Sequence, residues 1–225
     1  MNANTKILLE ELKFLKDDEY ALFIKNIAKS KYPILGVRIP ALRRLSIKYM
    51  DIDVKNIPSD YLEENLLFFM IGMKQLKSMD EQVQFIIDNE KRVDTWEITD
   101  TVYKLYKFTT FKNDLKYVDR LMNTKKEFMV RFSYLILMNY ISKENNKIIL
   151  SYIMDSDYYY VNMMEAWLLS YMYVVDEEEI YDFLRQSNIS LMLKKMTIRK
   201  ILDSYRANKE KKKRLKELGT RLKQS

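Results

Sequence analysis

The sequence predicts an all-α protein, and three observations carry that reading. Only 3 Gly and 3 Pro occur in 225 residues, too few to turn the many corners of a β fold. Apolar residues recur at helical intervals: Leu8, Leu12 and Leu15 form one stripe, and Leu66, Phe69, Met70 and Met73 another. The interruptions are short and polar, and no stretch alternates in the manner of a strand.

Taken in chain order, helix breaks are expected at Asp17-Asp18, Lys31 to Pro33, Asp51 to Pro58, Ser78-Met79, Asn123 to Lys125 and Lys143 to Asn146. Helices of roughly 12 to 18 residues between such joints number about a dozen. Pro40 follows a Gly turn at Gly36 and marks a helix start, where a missing N–H costs nothing. No composition shift marks an interdomain linker, so residues 1–225 read as a single domain with a basic helical segment at 194–225.

Composition removes whole classes of chemistry. With no Cys and no His, disulfide frameworks, Cys/His zinc sites, Cys nucleophiles and histidine general bases are all excluded. A Ser-His-Asp triad is excluded with them. Any reaction must use carboxylates, Lys, Tyr or backbone groups, and no cofactor or metal is expected. The first residues mix apolar and charged positions without a secretory core, and no apolar run reaches the length of a membrane span, so a cytoplasmic protein without membrane association is expected. The formal net charge of +7 calls for an acidic partner without naming one.

Three segments are similarly placed: Asp94-Thr-Trp-Glu-Ile-Thr-Asp100, Phe128-Met-Val-Arg-Phe-Ser133 and Met163-Met-Glu-Ala-Trp-Leu168. Trp96 and Arg131 lie 35 residues apart, and Arg131 and Trp167 lie 36 apart. That is close to one helical-hairpin repeat of the TPR or HEAT sort, in which residues one repeat apart share a face. Trp96 and Asp100, four apart, project from one face of a helix. A core Trp with a solvated acid fits that pair, yet Thr95, Glu97 and Thr99 make the surroundings polar for a core aromatic. Trp167 sits in an apolar run and reads as core. Arg131 interrupts an otherwise apolar helix and needs a partner or an anionic ligand there.

Two basic stretches stand out. Arg38, Arg43 and Arg44 cluster around the helix start at Pro40, where phosphate-facing and solvated readings are both open. Residues 194–225 hold 13 Lys and Arg against Asp203, Glu210 and Glu217, a net +10; the other 193 residues, with 26 cations and 29 acids, carry −3. The basicity is local.

Together these residues resemble the AlkD-like family of DNA alkylation repair glycosylases, built from HEAT-like repeats. Gly36-Val-Arg-Ile-Pro-Ala-Leu-Arg43 is similar to the family's GVR-x-P-x-L-R signature, and Val93 to Asp100 to its Trp-x-x-x-Asp motif. Arg131 resembles the family's Arg, Trp167 its second Trp, and Ile198 to Arg206 a C-terminal segment. The resemblance implies a superhelical array of antiparallel helix pairs with a concave basic cleft, acting as a monomer on duplex DNA that contains alkylated bases. It implies excision of cationic purines such as 3-methyladenine and 7-methylguanine, without enclosure of the base. By motif, Asp100, Trp96 and Trp167 would be catalytic, and Arg131, with Arg38, Arg43 and Arg44, would contact DNA. Location would be cytoplasmic, on the nucleoid when bound. The alternatives are a non-catalytic repeat protein that binds damaged or branched DNA, and a protein-binding scaffold.

Overall fold

Helix starts in this chain are written in short polar side chains. The computed structural model describes residues 3–205 and 207–221, and among these it contains thirteen α-helices, three 3₁₀ turns and no strand. Arg206 and Lys223, two of the cations counted in the basic segment, lie outside the described residues.

The helices divide into two compact units, residues 1–109 and 110–225. The first unit holds α1 (Ala3–Phe14), α2 (Asp18–Ala28), α3 (Ile39–Lys48), α4 (Leu62–Gln75), α5 (Met79–Asp88) and α6 (Trp96–Val102). The second holds α7 (Phe111–Met122), α8 (Glu127–Met138), α9 (Lys143–Leu150), α10 (Tyr159–Val175), α11 (Glu177–Gln186), α12 (Leu191–Asp203) and α13 (Lys209–Arg221).

N-cap side chains accept the orphan amides of the first turn. Asp17 takes the Tyr20 amide at 2.9 Å, Ser142 the Asn145 amide at 3.3 Å and Ser190 the Leu193 amide at 3.1 Å. Ser78 and Glu81 form a reciprocal capping box at α5. Left-handed backbone, usually a glycine position, falls to Lys29, Lys125 and Asp155 as well as Gly36. This is how so few glycines suffice. The expected break at Lys143 to Asn146 is corrected: these residues form the first turn of α9, and the joint precedes them. Their polarity marks a capped helix start, exposed at Lys143 and Glu144 and buried at Asn146.

In the first unit α4 is the central helix, packed by α3, α5 and α6. Leu66, Leu67, Phe69, Met70 and Met73 are buried, and so are Leu8 and Leu12 of α1. Leu15, just past the end of α1, is partly exposed. Gly72 of α4 admits the Phe85 ring of α5; a Cβ there would stand 2.5 Å from it. In the second unit α8 and α10 are the buried pair: α7 packs on α8, and α11 and α12 pack on α10. Fully buried Tyr134 places its hydroxyl between the Tyr152 carbonyl and Glu165 Oε1.

Candidate functional site

The loop before α3 is held by a carboxylate from α4. Glu63, almost fully buried, accepts the amides of Leu35 at 3.0 Å, Gly36 at 2.7 Å and Val37 at 3.2 Å. Such charge-assisted bonds compensate for burying the charge. Gly36 adopts φ +82°, and a Cβ on it would fall 2.0 Å from the Asp17 carbonyl oxygen. The motif glycine therefore lets the loop touch the N-terminus of α2. From this loop Arg38 emerges as the N-cap residue of α3, with Pro40 in the first turn. Its guanidinium lies over the Tyr20 ring, 4.3 Å from the centroid, and pairs with Asp17 at 3.2 Å. Arg43 and Arg44 are exposed on α3. Lys74 of α4 donates to Ser46 Oγ at 2.7 Å, and burial, reinforced by Arg43, pulls its ammonium below the usual lysine range. Arg43 and Lys74 are thus a cationic pair in mutual repulsion.

Helix α6 is anchored at its start to the end of α2. Asp94 accepts from Ser30 Oγ at 2.9 Å and from the Lys31 amide at 2.6 Å. Buried Thr95 donates to the Ala28 carbonyl at 2.8 Å, and the Trp96 indole N–H to the Ile27 carbonyl at 3.1 Å. Trp96 and Asp100 are each half-buried and lie one turn apart. The Thr99 hydroxyl is 3.0 Å from Asp100 Oδ1 and 2.9 Å from the Trp96 carbonyl. Glu97, between them in sequence, turns inward and is 8% exposed. Burial, and then Glu63 nearby, push its carboxyl up to about 7.

In the second unit, Arg131 of α8 is 5% exposed and donates from Nη1 to the Tyr160 carbonyl at 2.8 Å. Glu127, one turn earlier, accepts the Tyr160 amide at 2.9 Å. The first turn of α10 is therefore gripped at both backbone groups of one residue by an acid and a base of α8, and Phe128 packs on the Tyr160 ring. Trp167 of α10, expected in the core, is half-buried. It meets the Tyr171 ring edge-on at 5.9 Å and lines an open pocket of about 340 Å³ with Ser170, Lys200, Asp203 and Tyr205. Glu165, two residues before it, is fully buried, accepts the Met154 amide at 2.7 Å and has a carboxyl raised by burial.

The basic C-terminal segment is less free than its composition implies. Lys211 and Arg214 of α13 reach the acidic first turn of α11, pairing with Glu177 at 3.4 and 3.5 Å. Arg214 also binds both oxygens of Glu178 and stacks on Tyr181, 3.9 Å from its centroid.

The first unit thus collects Trp96, Asp100, Arg38, Arg43 and Arg44; the second collects Arg131 and Trp167 on helices that pack on each other. Sequence reasoning passed over Glu63, whose partners lie 26 to 28 residues away, and Tyr20, which carries Arg38. Two adjacent acids opening the apolar run of α4 were the available signal for Glu63. Among the described residues no group of three acidic side chains is placed to hold a metal ion, and no helix is long and apolar enough to cross a membrane. A family model for the DNA alkylation repair enzyme matches residues 8–221. No curated protein matches the chain.

Proposed function

The chain belongs to the DNA alkylation repair enzyme family, and on that premise we propose that it is a DNA glycosylase hydrolysing the N-glycosidic bond of positively charged alkylated purines in duplex DNA. The observation that carries the reading is the pair on α6: an indole and a carboxylate, both part-exposed one turn apart, backed by a helix start tied to α2. A cationic alkylpurine departs as a neutral base, so the reaction needs no proton donor. That suits a chain with neither His nor Cys.

Cleavage passes through an oxocarbenium-like sugar, as in glycoside hydrolysis. Asp100 would stabilise that cation and orient the attacking water. The faces of Trp96 and Trp167 would add cation–π attraction of about 0.5–2 kcal/mol each. Arg131, with one donor anchored on Tyr160, would hold a phosphate of the lesion strand, and Arg38, Arg43 and Arg44 would track the backbone. This reading includes the HEAT-like superhelical arrangement with a basic cleft, a monomer in the cytoplasm, and 3-methyladenine and 7-methylguanine as substrates.

The test is release of free base from methylated duplex DNA. Wild type should release it, and Asp100→Asn should lose roughly 100-fold or more in rate while still binding the duplex. Unchanged release by the variant would remove Asp100 from its role. Salt-dependent binding with no release by wild type would replace the glycosylase by a DNA-binding repeat protein.

A further inference from the structure

Glu97 is a buried acid that the proposed reaction does not use. Its Oε2 has no hydrogen-bond partner among the described residues, whereas Glu63, the neighbouring carboxylate, is bonded by three amides. The two acids stand on adjacent packed helices, α4 and α6. One is committed to a loop and the other leaves its Oε2 unpartnered. An ionised carboxylate without donors is costly in such a place, and a second negative charge beside it raises that cost.

The other charged or titratable groups around Glu97 do little to relieve this. From α2 the Tyr20 phenol is within its electrostatic reach, and it is raised by burial and by Glu97 itself. Arg38 lies on the Tyr20 ring and is drawn to Asp17. The 3₁₀ turn after α6 supplies Lys104, which is exposed and lies over Tyr103. On α6 itself Asp100 follows one turn later, with Cβ atoms about 5–6 Å apart at that spacing. Glu97 is thus next to Trp96 in sequence and one turn before Asp100, on the buried side of the helix whose other side carries those two part-exposed residues.

We propose that Glu97 is a proton-releasing positioning residue for the α6 site: protonated in mildly acidic solution while the site is empty, it gives its proton to solvent when a cation settles against Trp96 and Asp100. The inference rests on the reading that these two residues meet the cationic lesion. The step balances simply: the carboxylic acid becomes a carboxylate, one proton enters bulk water, and the new negative charge stands behind the bound cation. A neutral ligand draws no proton from Glu97, so the site gains affinity for cations alone. A carboxyl raised to about 7 is poised so that a modest favourable field ionises it.

The experiment compares two duplexes, one bearing a protonated pyrrolidine in place of the lesion sugar and one bearing an uncharged tetrahydrofuran. Calorimetry in buffers of different ionisation enthalpy counts protons on binding. At about pH 6, wild type should release nearly one proton more with the pyrrolidine duplex than with the tetrahydrofuran duplex. Its preference for the cationic duplex should grow roughly tenfold from about pH 6 to about pH 8. In Glu97→Gln, which copies the shape of the neutral acid, the extra proton should vanish and the preference should stay at the wild type's acid limit. Equal proton release with both duplexes in wild type, or an unchanged extra proton in the variant, overturns the inference, and the wild-type count stands without any variant. Base release from methylated duplex is measured alongside. Release without the linked proton fails only the inference about Glu97; a linked proton without release fails the glycosylase reading; wild type that binds neither duplex fails both.

Discussion

The Gly36 amide donates to Glu63 Oε1 at 2.7 Å, the shortest of three bonds by which one buried carboxylate shapes the loop that presents Arg38. Gly36→Ala places a Cβ against the Asp17 carbonyl in a left-handed backbone, and it should cost about 3 kcal/mol in urea unfolding. Glu63→Gln keeps the shape but sets an NH₂ against backbone donors and should cost about 2 kcal/mol. Wild-type stability in either variant would show that the loop is held by something else.

Glu97 gives stability a distinct dependence on pH. Its carboxyl is raised on folding from an ordinary 4.5 to about 7, so the native state holds a proton that the unfolded chain gives up. Its contribution is fully present below the unfolded value and is lost as pH rises through about 7. The loss amounts to about 3 kcal/mol at most. Thermal melts of wild type against Glu97→Gln should therefore converge near pH 4.5, separate progressively up to about pH 7 and keep a constant gap above it, with the variant the more stable.

Arg43 and Arg44 are exposed on α3, and Arg43 shares its surroundings with Lys74. If both meet phosphates, the double change to Gln should reduce the slope of log affinity against log salt by about 1.8. Stability should be unchanged or slightly raised, because a repulsion is removed. A slope equal to wild type, measured by fluorescence anisotropy with undamaged duplex, would place these arginines away from DNA.

Trp167 lines an open pocket of α10 and α12, so its contribution to folding is smaller than its size implies. Trp167→Leu should lower base release roughly tenfold while shifting unfolding free energy by less than about 1 kcal/mol. Trp96→Phe keeps the aromatic face and removes the indole N–H bond to Ile27, so it should cost about 1 kcal/mol of stability and leave more activity than Trp96→Leu.

Arg131→Lys tests the geometry of a cation rather than its charge. The Tyr160 carbonyl that accepts from Nη1 would lose a planar donor, and a lysine cannot reproduce the fork. A loss of about 2 kcal/mol in stability is expected, with DNA affinity reduced as well. A lysine variant as stable as wild type would show that the grip on α10 comes from Glu127 alone.

Much of this architecture follows from local rules that a sequence displays. The apolar stripe of α4, the Ser78 cap and the proline in the first turn of α3 are each decided within a few residues. What escaped local reading was decided by distant neighbours. Glu63 looks like an ordinary first-turn acid until its partners across 26 to 28 residues are known. Trp167 looks like core because α10 is apolar on every side, and periodicity does not tell which side α12 leaves open. Glu97, a charged residue in the first turn of a short helix, gave no hint that it faces inward. For the residues assigned to DNA, Arg38 and Arg131 were visible as cations in odd places, whereas their stacking on Tyr20 and bonding to Tyr160 were not.

The pairing of α13 with α11 has a consequence for how the protein would meet a polyanion. Glu177 and Glu178 already occupy Lys211 and Arg214, so part of the nominal charge of the C-terminal segment is compensated inside the molecule by a resident imitation of a phosphate pair. An incoming strand would have to displace these carboxylates, exchanging one anion for another. Removing the two glutamates would therefore expose latent charge and raise affinity for nucleic acid of any sequence, intact or damaged. Their presence leaves Lys211 and Arg214 compensated within the fold.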